Sequence, residues 1–284
     1  SPAALLRRAD LALYRAKELG RNRWAAYDPW LQQRADRQLQ MQQGLHSAIR
    51  TGEIDVYFQP VVDLAGLDGA RRVVGAEALV RWHSPDHGLV LPNDFLPAAA
   101  EAGLLPEIGA VVVDAVVERL RESDDGDLWI SVNLSPAELS HPAVVARLES
   151  AAAVVGAGRL CVGVRESSVV DEVAADTLRR LRGLGIAVMA EGFGAGPSSL
   201  RLLADYPADT VAVDRSFVDG LGDDHGDTVI VEAVAALAGE LGLTLMAEGV
   251  ADDRQVGTLR DLGYHLGTGW HFGRPVPWAE FRRQ

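Results

Sequence analysis

Six oxygen-bearing residues stand at or near the ends of short apolar runs. They are Glu77 in "GAEALV", Asn133 in "ISVNL", Glu166 in "CVGVRE", Glu191 in "VMAEG", Asp214 in "VAVD" and Glu248 in "TLMAEG". A single acid at such a place is ordinarily a helix N-cap or a solvated loop charge. Carboxylates gathered in one ring would repel one another unless cations neutralised them. Oxygen donors without Cys or His favour Mg²⁺ or Mn²⁺ over Zn²⁺. Spacing alone leaves the cation site and the bland caps both open.

The runs that carry these residues read as strands. Strands are expected at 56–62, 73–80, 128–133, 160–165, 186–190, 210–214, 243–247 and 264–267. Helical stretches such as 108–121, 173–183 and 227–241 fall between them, the pattern of βα units in a mainly parallel sheet. Eight strands suggest a closed barrel, whose C-terminal strand ends would carry the chemistry. An open doubly wound sheet is the alternative, but no Gly-x-Gly-x-x-Gly follows the first strand.

Composition narrows the partners. Forty acids against 27 bases give a net charge of −13, which opposes a long nucleic acid. Cys161, the sole cysteine, sits in the apolar "RLCVGV" and reads as core. No apolar run approaches the roughly 18 residues of a membrane span. A cytoplasmic protein without membrane contact in this segment is expected, with an upstream membrane or sensor region left open. His83 and His87 read as solvated loop residues. The acidic turns "SDDGD" (123–127) and "GDDHGD" (222–227) lack the Glu a Ca²⁺ loop needs.

"YFQPVV" (57–62), "EALVRW" (77–82), "SVNLSPAEL" (131–139), "FGAGPSSL" (193–200), "VDRSFV" (213–218), "MAEGV" (246–250) and "GWHFGRPVP" (269–277) together resemble the EAL family of cyclic di-GMP phosphodiesterases. The likeness is collinear over roughly residues 40–284. It implies a TIM-like (β/α)8 barrel of α/β class, cyclic di-GMP as ligand, two Mg²⁺ or Mn²⁺ ions, and a homodimer formed through the barrel. In that family two cations activate water and offset phosphoryl charge. By this resemblance Gln59, Leu79 and Arg81 contact ligand, Arg81 suiting phosphate with its forked guanidinium. Glu77, Asn133, Glu191, Asp214 and Glu248 are the metal-side candidates, and Glu166 steadies a loop.

The site also departs from the family. Gly163 replaces the first Glu of Glu-x-Thr-Glu-Ser, and Glu191-Gly192 replaces Asp-Asp. Ala212 stands for the Lys of Lys-Ile-Asp, Thr268 for the Gln of Gln-Gly-Tyr, and Pro197 for an aromatic. No full catalytic set remains, and Mg²⁺ or Mn²⁺ binding is expected to be weak or absent. A degenerate, silent receptor or regulatory module is the first reading. A slow phosphodiesterase giving linear pGpG is the second, and a dimerisation or partner-binding module without nucleotide affinity is the third.

Residues 1–29 add a second resemblance. "ADLALYRAKELGRNRWAAY" looks like the last helix and final strand of a diguanylate cyclase (GGDEF-family) domain. The expected organisation is therefore a cyclase remnant (1–29), a helical connector (30–50) and the EAL-type barrel (51–284).

Overall fold

The computed structural model describes residues 2–18, 24–28, 41–64, 66, 72–123, 125–165, 172–194 and 207–283. Ten strands form one sheet: β1 Ile54–Asp63, β2 Val73–Ser84, β3 Gly88–Val90, β4 Trp129–Asn133, β5 Leu160–Arg165, β6 Ala187–Phe193, β7 Thr210–Val213, β8 Thr244–Ala247, β9 Leu266–Thr268 and β10 Val276–Pro277. All eight expected strands are present, within a few residues. The unexpected β3 and β10 are two or three residues long, too short for an alternation pattern to declare itself.

β2 and β4 through β9 run parallel in chain order. β1 pairs with β2 on one side and β9 on the other, which closes an eight-stranded barrel, and both pairings are antiparallel. Only residues 64–72 join β1 to β2, and so short a link suits a hairpin rather than a parallel crossover. Helices Leu105–Glu122, Pro142–Val155, Glu172–Gly183 and His225–Leu241 follow β3, β4, β5 and β7.

Two periods of side chains explain the layering. Val162, Val188, Val211, Val213, Leu245 and Ala247 point outward into the large core shared with the helices. The alternate residues Cys161, Met189, Ala212 and Met246 pack with Val61 in a separate apolar cluster, flanked by Trp129, Ala187 and Leu266. That cluster is the plug of the barrel. In a strand the residue two further on faces the same way. One step past Met189, Ala212 and Met246 therefore come Glu191, Asp214 and Glu248. Asn133 and Gly163 stand likewise two beyond Ser131 and Cys161.

Two expectations need correction. Glu77 lies inside β2, because pairing with β1 and β3 carries that strand on to Ser84. His83 is likewise a strand residue, 3.4 Å from Asp55 across the β1–β2 pair. Cys161 is buried, and burial pushes its thiol pKa far up, as a core residue requires.

Candidate functional site

The barrel mouth holds Glu77, Asn133, Glu191, Asp214 and Glu248, each positioned by a different strand. Asn133 Nδ2 donates to Glu77 Oε1 at 2.9 Å, which fixes both side chains. Gln59 lies directly opposite Glu77 in the β1–β2 register, and its Nε2 donates to the Gly273 carbonyl at 3.0 Å. The Gly192 backbone N–H donates to Glu248, tying the end of β8 to that of β6. Gly192 has φ +63°, a conformation glycine adopts without strain, and it carries no side chain to add to the ring. Asp214 is committed locally. Its Oδ1 accepts from Ser216 N at 2.8 Å and caps the helix Arg215–Asp219.

The electrostatics follow from crowding. Burial raises the pKa of Glu77, opposed by the Asn133 hydrogen bond and by Arg81. Glu191 is held well above the ordinary carboxylate range, first by burial and then by Glu77 and Glu248. Glu248 is pushed up to about 8 by burial, Glu77 and Asp214, against the Gly192 N–H and Arg165. Neighbouring carboxylates that raise one another's pKa hold protons or attract cations.

Arg81 is 8% exposed, and its Nη1 donates to the Val80 carbonyl at 2.9 Å. Its guanidinium lies 5.5 Å from the Tyr57 ring centre, and burial lowers its pKa. Leu79 is half-buried on the same strand, opposite Tyr57. Glu166 and Pro197 lie outside the described residues.

Positions 163, 212 and 268 line the same end of the barrel without offering a charged group. Ala212 is fully buried in the apolar plug. Thr268 Oγ1 donates to the Pro60 carbonyl at 3.0 Å, so its hydroxyl is spent within the barrel wall. Gly163 leaves a gap that the Glu191 carboxyl enters.

A pocket of about 190 Å³ opens at this mouth between Gln59, Glu77, Glu248, Thr268, Arg215 and Trp270. Trp270 is 60% exposed, with Arg274 at 4.3 Å and Arg215 at 5.6 Å from its ring centre. Sequence reasoning missed this cationic, aromatic rim. The Trp in "TGWHFGR", with Arg274 four residues on, was the available signal.

The chain matches the EAL domain family over residues 42–275. It belongs to the EAL domain family. It is 34% identical over 280 residues to the bifunctional diguanylate cyclase/cyclic di-GMP phosphodiesterase MucR of Pseudomonas aeruginosa, covering 96% of this chain and 40% of that protein. It is 32% identical over 286 residues to the cyclic di-GMP phosphodiesterase PdeR of Escherichia coli, covering 99% and 42%. The chain thus spans about two-fifths of the length of these relatives. Among solved structures, the PaMucR phosphodiesterase in complex with c-di-GMP superimposes with a TM-score of 0.78 at 32% identity, covering 85% of this chain and 99% of that one. This EAL domain therefore shares its barrel with a cyclic di-GMP phosphodiesterase.

A divalent cation is the group this family implies, and the donors test the fit. Glu77, Asn133, Glu191 and Glu248 offer hard oxygens, the right chemistry for Mg²⁺ or Mn²⁺. Their number is short, because 163 and 192 contribute no side chain. Among the described residues no three His, Cys, Asp or Glu side chains form a ready cage. Glu77, Glu191 and Glu248, with the Asn133 carbonyl oxygen, would supply the donors to such a cation. Among the described residues no helix is long and apolar enough to cross a membrane.

Proposed function

We propose that this EAL domain is a catalytically silent receptor for cyclic di-GMP, acting as a regulatory module. The observation that carries the reading is the fate of positions 212 and 268. One is an apolar plug residue and the other is bound to the Pro60 carbonyl. Neither offers a charged or free polar group to an attacking water. Removing one preorganised electrostatic group typically costs about 10²–10³ in rate. Losses within one site do not add simply, but turnover far below the family norm follows.

The ligand side is better preserved. Gln59 lies opposite Glu77, Leu79 and Arg81 follow Glu77 at alternate positions of β2, and Arg81 has guanidinium donors beyond its bond to the Val80 carbonyl. Arg215 and Arg274 add positive charge at the rim, and Trp270 offers a ring on which a base can stack. The raised pKa values of Glu77, Glu191 and Glu248 mean that protons neutralise part of the ring without metal. Binding is therefore mainly metal-independent, with Arg81 on a phosphate and Mg²⁺ or Mn²⁺ held weakly at most. A calorimetric titration with cyclic di-GMP, with and without Mg²⁺, tests this. Affinity in EDTA supports the receptor, and no binding at about 100 μM leaves only a partner-binding module.

A slow phosphodiesterase giving linear pGpG is the second reading, favoured by Glu77, Asn133, Glu191 and Glu248 sharing one mouth. Release of the linear dinucleotide under excess Mn²⁺ would establish it.

We assign residues 1–29 to the end of a cyclase domain, 30–50 to a connector, 51–284 to the barrel, and the assembly to a homodimer through that barrel. Leu5, Leu6 and Leu13 are exposed on the helix Pro2–Glu18.

A further inference from the structure

The strand β5 ends on a cation that faces inward. Cys161 belongs to the apolar plug, and Gly163 and Arg165 follow it at alternate positions of the strand. Val162 and Val164 belong to the outer core, so Arg165 faces into the barrel. It is the last residue of β5 and is exposed, so its side chain rises into the open mouth.

The register sets it beside an acid. Arg165 pairs with Glu191 of β6, whose carboxyl leans over Gly163, two residues earlier on β5. Neighbouring strands run about 4.8 Å apart, well within the reach of an arginine. Against the burial that raises both, Arg165 lowers the pKa of Glu191 and of Glu248. An exposed arginine at a strand end ordinarily just carries its charge to water. Here the strand aims it at a group of buried carboxylates.

Cations also recur around the mouth. The ring runs β1, β2, β4, β5, β6, β7, β8, β9 and back to β1. Arg81 stands on β2, Arg165 on β5, Arg215 just after β7 and Arg274 after β9, which is every second place in the ring. Thus β5 lies across the barrel from β9, the strand that leads to Trp270 and its two arginines. A ligand with an anionic group on each side would meet a guanidinium at both edges. Such charge is what a floor of carboxylates needs before it can admit an anion.

We propose that Arg165 is a ligand-binding residue of this mouth, whose guanidinium offsets the carboxylates of Glu191 and Glu248 and gives its remaining donors to one phosphate of a nucleotide that carries two. Five donors in a fixed fork are enough to hold a carboxylate and a phosphate at once. The phosphate contact rests on the receptor reading, whereas the pairing with Glu191 does not.

Two measurements test it, one of them without nucleotide. In EDTA at pH 9, Arg165→Gln should lower Tm by roughly 2–4 °C, an ordinary shift for a modest loss in a chain of this size. In a Glu191→Gln background the same substitution should cost less than about 1 °C, because its partner is already neutral. Arg165→Lys should keep the parent Tm, since a charge suffices for the pairing. Calorimetric titration with cyclic di-GMP in EDTA should find Arg165→Gln about tenfold to 100-fold weaker than the parent, the loss of a charge-assisted hydrogen bond. Arg165→Lys should fall between them, because an ammonium lacks the fork. Equal Tm costs in the two backgrounds overturn the pairing, and an unchanged affinity in Arg165→Gln overturns the phosphate contact. A parent that binds no cyclic di-GMP fells the receptor reading instead, and the Tm cycle then decides the role of Arg165 by itself.

Discussion

Asn133 Nδ2 and Glu77 Oε1 meet at 2.9 Å across the parallel β2–β4 pair, joining an amide and a carboxylate whose positions are 56 residues apart. The bond leaves Glu77 with its second oxygen, and Asn133 with its carbonyl, turned to the same mouth. It pairs the amide of the ring with one of its acids.

Replacing that amide by an acid tests the crowding. Asn133→Asp adds a fifth carboxylate to the ring, beside Glu77, and removes the donor to Glu77. Stability at pH 8 in EDTA should fall by about 1–3 kcal/mol, the usual cost of leaving a buried acceptor unmet. Excess Mg²⁺ should recover part of it. Denaturation midpoints with and without Mg²⁺ read both effects, and an unchanged midpoint in EDTA would contradict the crowding.

The pH dependence has a definite sign. Glu248 is shifted from 4.5 to about 8, and Glu77 and Glu191 are raised as well. Below about pH 4.5 both folded and unfolded chains hold the Glu248 proton. Between there and about 8 only the folded chain holds it, so the stability it contributes is lost as pH rises through the folded value. In EDTA, Tm should therefore decrease from pH 6 to pH 9, and Glu248→Gln should flatten the decline. Scanning calorimetry across that range decides it, and a Tm rising towards pH 9 in the parent protein would refute the shift.

Arg81 should dominate ligand affinity. Truncating a desolvated charged partner costs roughly 2–4 kcal/mol, so Arg81→Ala should weaken cyclic di-GMP binding by about 30-fold to 1000-fold. Arg81→Lys should rescue little, because an ammonium cannot form the paired contact. Calorimetric titrations of the three proteins in EDTA give the comparison.

Trp270 should affect ligand binding more than folding. Its ring is largely exposed, so Trp270→Ala should leave Tm nearly unchanged. If a base stacks there, the affinity for cyclic di-GMP should fall by about 1–3 kcal/mol. Equal affinity in the variant would assign Trp270 to the rim alone.

The barrel was legible because its strands alternate: Cys161, Met189, Ala212 and Met246 point inward while Val162, Val188, Val211 and Leu245 point out. The ring of acids followed from the same period. What escaped was set by tertiary register. Glu77 sits mid-strand because β2 is extended by partners on both edges, which no local pattern announces. Glu191 turns back to Gly163 because of a gap on the neighbouring strand, a relation between residues 28 apart. The Arg215–Trp270–Arg274 rim joins the start of the helix Arg215–Asp219 to the segment after β9, so the run 268–274 displays only two of its three members.

The most direct test is recovery of the bound nucleotide. The protein is incubated for hours with cyclic di-GMP and excess Mn²⁺, separated from free ligand, and its bound and free nucleotides are resolved by chromatography. A silent receptor retains intact cyclic di-GMP and releases essentially no pGpG. Conversion to pGpG near the ~1 s⁻¹ of ordinary slow enzymes, or a protein fraction that carries no nucleotide, would contradict it.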